Sequence, residues 1–219
     1  MNRRMLLAAI ATAAVAPRAA FADAKFEAFM QGLWPMAQKV GLKRELFDRA
    51  IAGITSPDPL VLKLAANQPE FTSTTSDYLG KAVTQVRIDY GRQMLNDNAS
   101  LLAAIQAKYS VDKRALLGIW GIESNFGKQL GDMSAIRSLA TLMYSGSRKD
   151  YGRAQMAAAF RILKIGVVSP EHFVGSWAAA LGHTQFIPTS YLAYAVDWTG
   201  DGVRDIWGSK EDALASTAN

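Results

Sequence analysis

The sequence predicts a mainly α-helical protein with a short calcium-loop or hairpin module near its C-terminus. Three observations lead there. Apolar residues recur at three- and four-residue spacing over most of the 219 positions. Strand-like alternation is scarce before the tail. The stretch DWTGDGVRDIW, residues 197–207, holds Thr-Gly and Asp-Gly turn signals side by side. Half of the residues are hydrophobic and a fifth are charged, as expected for one globular domain with an ordinary core. There is no internal repeat and no low-complexity run.

The first 22 residues read as an export leader. Arg3 and Arg4 precede an apolar run from Met5 to Ala16, and Ala20-Phe21-Ala22 offers small residues around a cleavage point. The run is too short to span a bilayer comfortably. Cleavage after Ala22 removes three arginines and no acid, so the net charge falls from +5 to +2. A charge that mild, without a basic stripe or reading motif, gives no case for a nucleic-acid partner. The chain has no cysteine. Disulfides, thiolate metal sites, a cysteine nucleophile and a lipidated N-terminal cysteine are therefore excluded, and a periplasmic, non-lipoprotein location is expected.

After the leader, FEAFMQGLWPMAQKVGLKRELFDRAIAG predicts two helices, with Pro35 starting or bending one and Gly41 and Gly53 as stops. Residues 55–79, with Pro57, Pro59, Pro69 and a Ser/Thr cluster, predict an irregular crossing segment. Helical spacing returns from Tyr78 to Tyr109. Ser110 or Asp112 is placed to cap the next helix and Gly127 to end it. MSAIRSLATLMYSG and DYGRAQMAAAFRILKIG predict two more amphipathic helices.

The helix before Gly127 carries WGIESNFG. Glu123 follows Leu116, Ile119 and Trp120 by seven, four and three residues, which puts its carboxyl on an apolar stripe. Desolvation there raises a carboxyl pKa toward the range useful for proton transfer. The alternative is a buried structural glutamate paired with an arginine or capping a backbone group. No HExxH, GxSxG, Walker loop or GxGxxG occurs, and His172 and His183 suit no usual zinc spacing.

A second cluster is GSWAAALGHTQFIPTSY, residues 175–191. Ser176, Gln185, Thr189, Ser190 and Tyr191 bring hydroxyl and amide groups beside aromatic rings, the combination that binds sugars. The alternative is a helix–turn–helix core in which Gln185 satisfies backbone groups. The third is the tail. Asp197, Thr199, Asp201, Gly202, the Val203 carbonyl and Asp205 fall at positions one, three, five, six, seven and nine of a calcium loop. Position twelve is Gly208, so a closing carboxylate has to come from Glu211 or Asp212. The alternative is a pair of tight turns.

In this order WGIESNFG, SLATLMY, GSWAAALGHTQFIPTSY and DWTGDGVRDIW resemble the signatures of the lytic murein transglycosylase B family over most of the chain beyond the leader. The resemblance implies a lysozyme-like helical catalytic domain over 23–219, with an N-terminal helical part 23–110 and a catalytic core 111–219. It implies cleavage of the peptidoglycan glycan with formation of 1,6-anhydro ends. Hydrolytic muramidase and non-catalytic peptidoglycan-binding module stand as alternatives. Position by position it implies Glu123 as the single catalytic acid and base, and Tyr78, Arg148, Ser176 and Gln185, with Tyr191 beside them, as sugar-contacting residues. Lys149 stands where the family has a second arginine. Asp197, Thr199, Asp201, Val203 and Asp212 become the ligands of a structural calcium, and no cofactor is implied for catalysis. The implied partner is the glycan strand, met by a monomer without a membrane span. The family continues beyond the STAN at which this sequence stops, with an aromatic residue that lines the cleft, so the expectation is either a chain shortened at that end or a groove completed by other residues.

Overall fold

The computed structural model describes residues 18–67 and 74–219, with side chains from Ala24 onward. Residues 1–17 of the expected leader lie outside the described residues. The backbone of residues 18–22 is helical and opens α1 (Arg18–Gln31), which runs across the expected cleavage point. Then come α2 (Trp34–Lys39), α3 (Arg44–Ile51), α4 (Pro59–Ala66), α5 (Thr75–Ala82), α6 (Gln85–Asp97), α7 (Ala99–Tyr109), α8 (Lys113–Ser124), α9 (Ala135–Ser145), α10 (Lys149–Ile165), α11 (Pro188–Tyr194) and α12 (Lys210–Ala218). The mainly α expectation is met. Among the described residues no helix is long and apolar enough to cross a membrane.

Local chemistry accounts for where the helices begin. Asp112 caps α8, its Oδ1 accepting the Arg114 N–H at 2.7 Å, so of the two candidates it is the aspartate that starts this helix. Ser110 instead closes α7 in the left-handed region at φ 58°. The segment expected to be irregular contains α4: Asp58 Oδ1 accepts the Leu60 N–H at 2.9 Å, and Pro59 occupies the first helical turn. A proline there starts a helix because the N–H it lacks has no partner in that turn. The run from Tyr78 to Tyr109 is divided by Val83-Thr84 and Asn98. Thr84 Oγ1 caps α6 by accepting the Arg87 N–H.

Two apolar clusters form the interior. In one, Phe26 and Met30 of α1 and Phe47 of α3 meet Ile136 and Leu139 of α9 and Met156 and Phe160 of α10. In the other, Leu102 and Ile105 of α7 meet Leu116 and Trp120 of α8 and Leu214 of α12. Each cluster draws helices from both sides of residue 110.

The two strands among the described residues do not lie in the tail, where sequence pattern suggested a hairpin. Met133–Ser134 pairs antiparallel with Val174–Gly175, in the register Met133 to Gly175 and Ser134 to Val174. The approach just before it is close: a Cβ on Gly131 would lie 2.3 Å from the Gly175 carbonyl. The tail between α11 and α12 is instead a series of turns whose backbone N–H groups are taken up by aspartate carboxylates, which removes the donors a strand ladder would use.

Candidate active site

α8 presents one inward and one outward face at its C-terminal end. Leu116, Trp120, Gly121 and Ser124 are buried, whereas Ile119 and Ile122 are 41% and 47% exposed. At about 100° per residue, the buried stripe centres between Trp120 and Ser124, which leaves Glu123 at its edge. The residue is therefore exposed, not enclosed as the spacing suggested. Partial desolvation by its surroundings still pushes its carboxyl above the ordinary range. The two observations describe a carboxyl screened on one side and open on the other. Among the described residues it makes no hydrogen bond or ion pair, and no arginine faces it there.

The helix stops at Ser124, before Gly127. Asn125, Phe126 and Gly127 then follow in the left-handed region at φ 51°, 60° and 83°. This strained turn folds the Phe126 ring back onto α8, where a Cβ on Gly121 would lie 2.6 Å from it, and edge-on to Trp120. It also brings the chain against the loop that joins the Val174–Gly175 strand to α11. Ser124 Oγ donates to the His183 carbonyl at 2.6 Å and accepts the Gly127 N–H at 2.9 Å. Trp120 Nε1 donates to His183 Nδ1 at 3.0 Å. Burial holds the imidazole pKa below its ordinary value, opposed by Asp205 and Glu211, and a neutral ring is what an accepting Nδ1 requires.

Gln185 sits two residues on, in the left-handed region at φ 51°. Its Nε2 donates to Leu130 O at 3.1 Å and Gly182 O at 2.9 Å, so part of its work is the backbone satisfaction foreseen as the alternative. Its Oε1 is left to accept. At the other end of the loop Ser176 Oγ accepts the N–H groups of Ala178 and Ala180, which leaves its own O–H to donate. Arg148 lies 5.5 Å from the Trp177 ring centroid and 5.7 Å from that of Tyr151, whose hydroxyl donates to Ala178 O at 2.9 Å. Burial raises the Tyr151 pKa, with Arg148 opposing. One loop thus links the end of the Glu123 helix, through Gln185 and Ser176, to a cation stacked on two rings.

Two of the expected site residues, Tyr191 and Asp212, are buried in the interior. Tyr191 is fully buried; its hydroxyl donates to Arg204 O at 2.8 Å, and burial pushes its pKa up to about 12. It is a core residue because Pro188 starts α11 one turn earlier and turns Tyr191 onto Trp207. Tyr78 is 43% exposed on α5, and among the described residues its ring makes no aromatic contact. Asp212 is fully buried, with Oδ1 accepting the N–H groups of Trp198 and Thr199 and Oδ2 that of Asp205.

The front of the tail loop does have the turn geometry of a calcium loop: Asp197 Oδ1 accepts the Gly200 N–H and Oδ2 the Gly202 N–H, and Asp201 Oδ1 accepts that of Val203. Those bonds lower the Asp197 pKa. Asp212 accepts three backbone N–H groups, Thr199 Oγ1 is turned to Asp197, and no group of three or more acidic, histidine or cysteine residues converges among the described residues. The carboxylates of this loop are held by turn hydrogen bonds, and Asp212 braces the backbone behind them.

Residues 25–219 match the transglycosylase SLT domain model. The chain belongs to the transglycosylase SLT domain family. Among curated relatives it is similar to the membrane-bound lytic murein transglycosylase B of Escherichia coli strain K12, 29% identical over 194 residues, covering 84% of this chain and 53% of the relative. Among solved structures, SltB3 of Pseudomonas aeruginosa in complex with NAG-NAM-pentapeptide is 47% identical with a TM-score of 0.84, over 89% of this chain and 52% of SltB3. Slt35 of Escherichia coli in complex with calcium is 27% identical with a TM-score of 0.74, over 89% of this chain and 61% of Slt35. The chain spans about half the length of the curated relative it matches. Within this SLT-family chain, sequence reasoning passed over Trp177, His183, Ser124 and Tyr151. The first two stand inside the 175–191 stretch as an aromatic ring and a titratable ring among hydroxyls, and that was the available signal.

Proposed function

We propose that this chain is a peptidoglycan lytic transglycosylase, exported to the periplasm by its leader, in which Glu123 is the single acid and base. The observation that carries the reading is the Glu123 carboxyl: unpaired, shifted toward its protonated form, and one residue from the Ser124 anchor of the loop that bears Ser176 and Gln185. A protonated Glu123 gives its proton to the oxygen between N-acetylmuramic acid and N-acetylglucosamine, and the bond from that oxygen to the muramoyl anomeric carbon breaks. The resulting carboxylate takes the proton of the muramoyl C6 hydroxyl, whose oxygen bonds to the same carbon and closes a 1,6-anhydro ring. No water is consumed. Ordinary glycosidases use a second carboxylate; here the tethered hydroxyl takes that place through its high effective concentration. The Gln185 Oε1 acceptor, the Ser176 hydroxyl donor and the Arg148–Trp177 face suit the acetamido and hydroxyl groups and the apolar sugar face. A proton donor, a proton acceptor and the sugar's own hydroxyl suffice, so no cofactor enters the step.

Digestion of purified sacculi tests this by product mass. Wild type is expected to release anhydro-muropeptides. Glu123→Gln is expected to lose activity by about 10²–10⁴-fold while retaining glycan binding and its melting temperature. Products heavier by one water would identify a hydrolase, and binding without release a non-catalytic module.

A further inference from the structure

Four cations surround an open cavity of about 580 Å³ on the side of the molecule formed by α2, α10 and α11. They are Lys39, Arg161, Lys164 and Arg204, and the rest of the lining is Val40, Ile165 and Leu192. No acidic residue lines it, and none of the four cations makes an ion pair among the described residues. Five arginines elsewhere, Arg44, Arg49, Arg92, Arg114 and Arg137, each face a carboxylate. Asp205, the acid next to Arg204 in sequence, has its Oδ1 on the N–H groups of Trp207 and Gly208.

The cluster is assembled by tertiary structure. Lys39 ends α2, Arg161 and Lys164 lie one turn apart near the end of α10, and Arg204 comes from the tail loop, its guanidinium 5.8 Å from the Tyr191 ring centroid. The Lys164 ammonium reaches over the turn after α2, where a Cβ on Gly41 would lie 2.9 Å from Nζ. Favourable placement at helix C-termini accounts for the two lysines. It does not account for Arg161, a turn further in, or for Arg204. Four like charges around one cavity repel one another, an effect that salt screens over ~8 Å at physiological ionic strength, and a multiply charged anion relieves that repulsion. A single carboxylate leaves most of the charge unmatched. Phosphate oxygens suit both the arginine fork and the lysine point charge. Ile165, 47% exposed, adds an apolar rim.

We propose that this cavity binds a phosphate-bearing ligand, either a soluble polyphosphate or a phospholipid headgroup, at a site that shares no residue with the Glu123 helix or the 175–186 loop. The test uses the full chain in two arms at constant ionic strength: calorimetric titration with inorganic pyrophosphate, and co-sedimentation with vesicles of phosphatidylglycerol in phosphatidylcholine. The variants are Arg161→Gln with Lys164→Gln, against Lys25→Gln with Lys63→Gln as an equal charge loss on exposed positions elsewhere. Saturable binding in at least one arm is expected, weakened roughly tenfold or more by the first pair and little changed by the second. Pyrophosphate alone binding assigns a soluble ligand, and vesicles alone a headgroup. Binding in neither arm, equal weakening by the control pair, or equal binding of acetate overturns the proposal. A rise in the wild-type melting temperature with pyrophosphate, absent in the first pair, checks the result independently of whether that pair loses stability.

Discussion

The Trp120 indole N–H meets Nδ1 of His183 at 3.0 Å, while one turn along α8 Ser124 Oγ donates to the His183 carbonyl at 2.6 Å. A single residue of the 175–186 loop is thereby held at both its ring and its backbone by the helix that ends in Glu123. A Cβ on Gly127 would lie 2.5 Å from Nδ1, so the strained turn after α8 leaves room for this ring alone.

The bond to Trp120 requires an unprotonated Nδ1, and the folded pKa lies below the ordinary 6.5. The unfolded chain therefore binds the proton first as pH falls. The stability due to His183 is complete above about pH 6.5 and is lost as pH drops through the depressed folded value. Melting temperature measured from pH 7.5 to 5 is expected to fall in that window, and His183→Gln to flatten the fall. Both series belong in the Glu123→Gln background, because Glu123 titrates with the opposite sign.

For Glu123 the folded pKa is raised, so the protonated form is favoured by folding and that advantage is lost as pH rises through the folded value. Turnover that begins with a protonated acid should decline over the same rise. At neutral pH Glu123→Gln is expected to melt no lower than wild type, because it removes a carboxyl whose charged form is disfavoured by partial desolvation. A variant that melts clearly lower would mean the carboxylate is structural.

Asp212 joins the two halves of the tail by accepting three backbone N–H groups. Asn keeps one acceptor and turns an NH₂ toward a donor. Asp212→Asn should cost about 2–4 kcal/mol and lower the melting temperature by roughly 5–15 °C. A fall in the wild-type melt on adding a calcium chelator would show that the tail loop holds the ion, and an unchanged melt would favour the turns alone.

Arg148 lies against Trp177 and Tyr151, and a lysine keeps its charge without its plane. Arg148→Lys is expected to raise KM for glycan by roughly three- to tenfold with kcat little changed. A change confined to kcat would place Arg148 in the chemistry instead of the binding face.

The helices were legible where a capping residue, an apolar period and a stop coincide, as in α9 between Ser134 and Gly146 and α10 before Gly166. The prolines of 57–59 misled because a breaker inside a helix is a starter at its first turn. The three chemical clusters were each legible as a local composition. What stayed hidden were partners distant in sequence: Trp120 and His183 lie 63 positions apart, Gln185 and Leu130 lie 55 apart, and no local period records either distance.

The sequence by itself determined that Glu123 lies beside a buried stripe near a helix end, that residues 175–191 combine rings with hydrogen-bonding groups, and that no cysteine chemistry is open to the chain. Only the tertiary structure decided which of these groups face solvent. It put Tyr191 and Asp212 into the interior, left the Glu123 carboxyl at an open edge, and gathered Lys39, Arg161, Lys164 and Arg204 from three segments. The physical reason is that burial and hydrogen-bond satisfaction are settled by what packs on the other side. A repeat of three or four residues says which side chains share a face and leaves open what covers it.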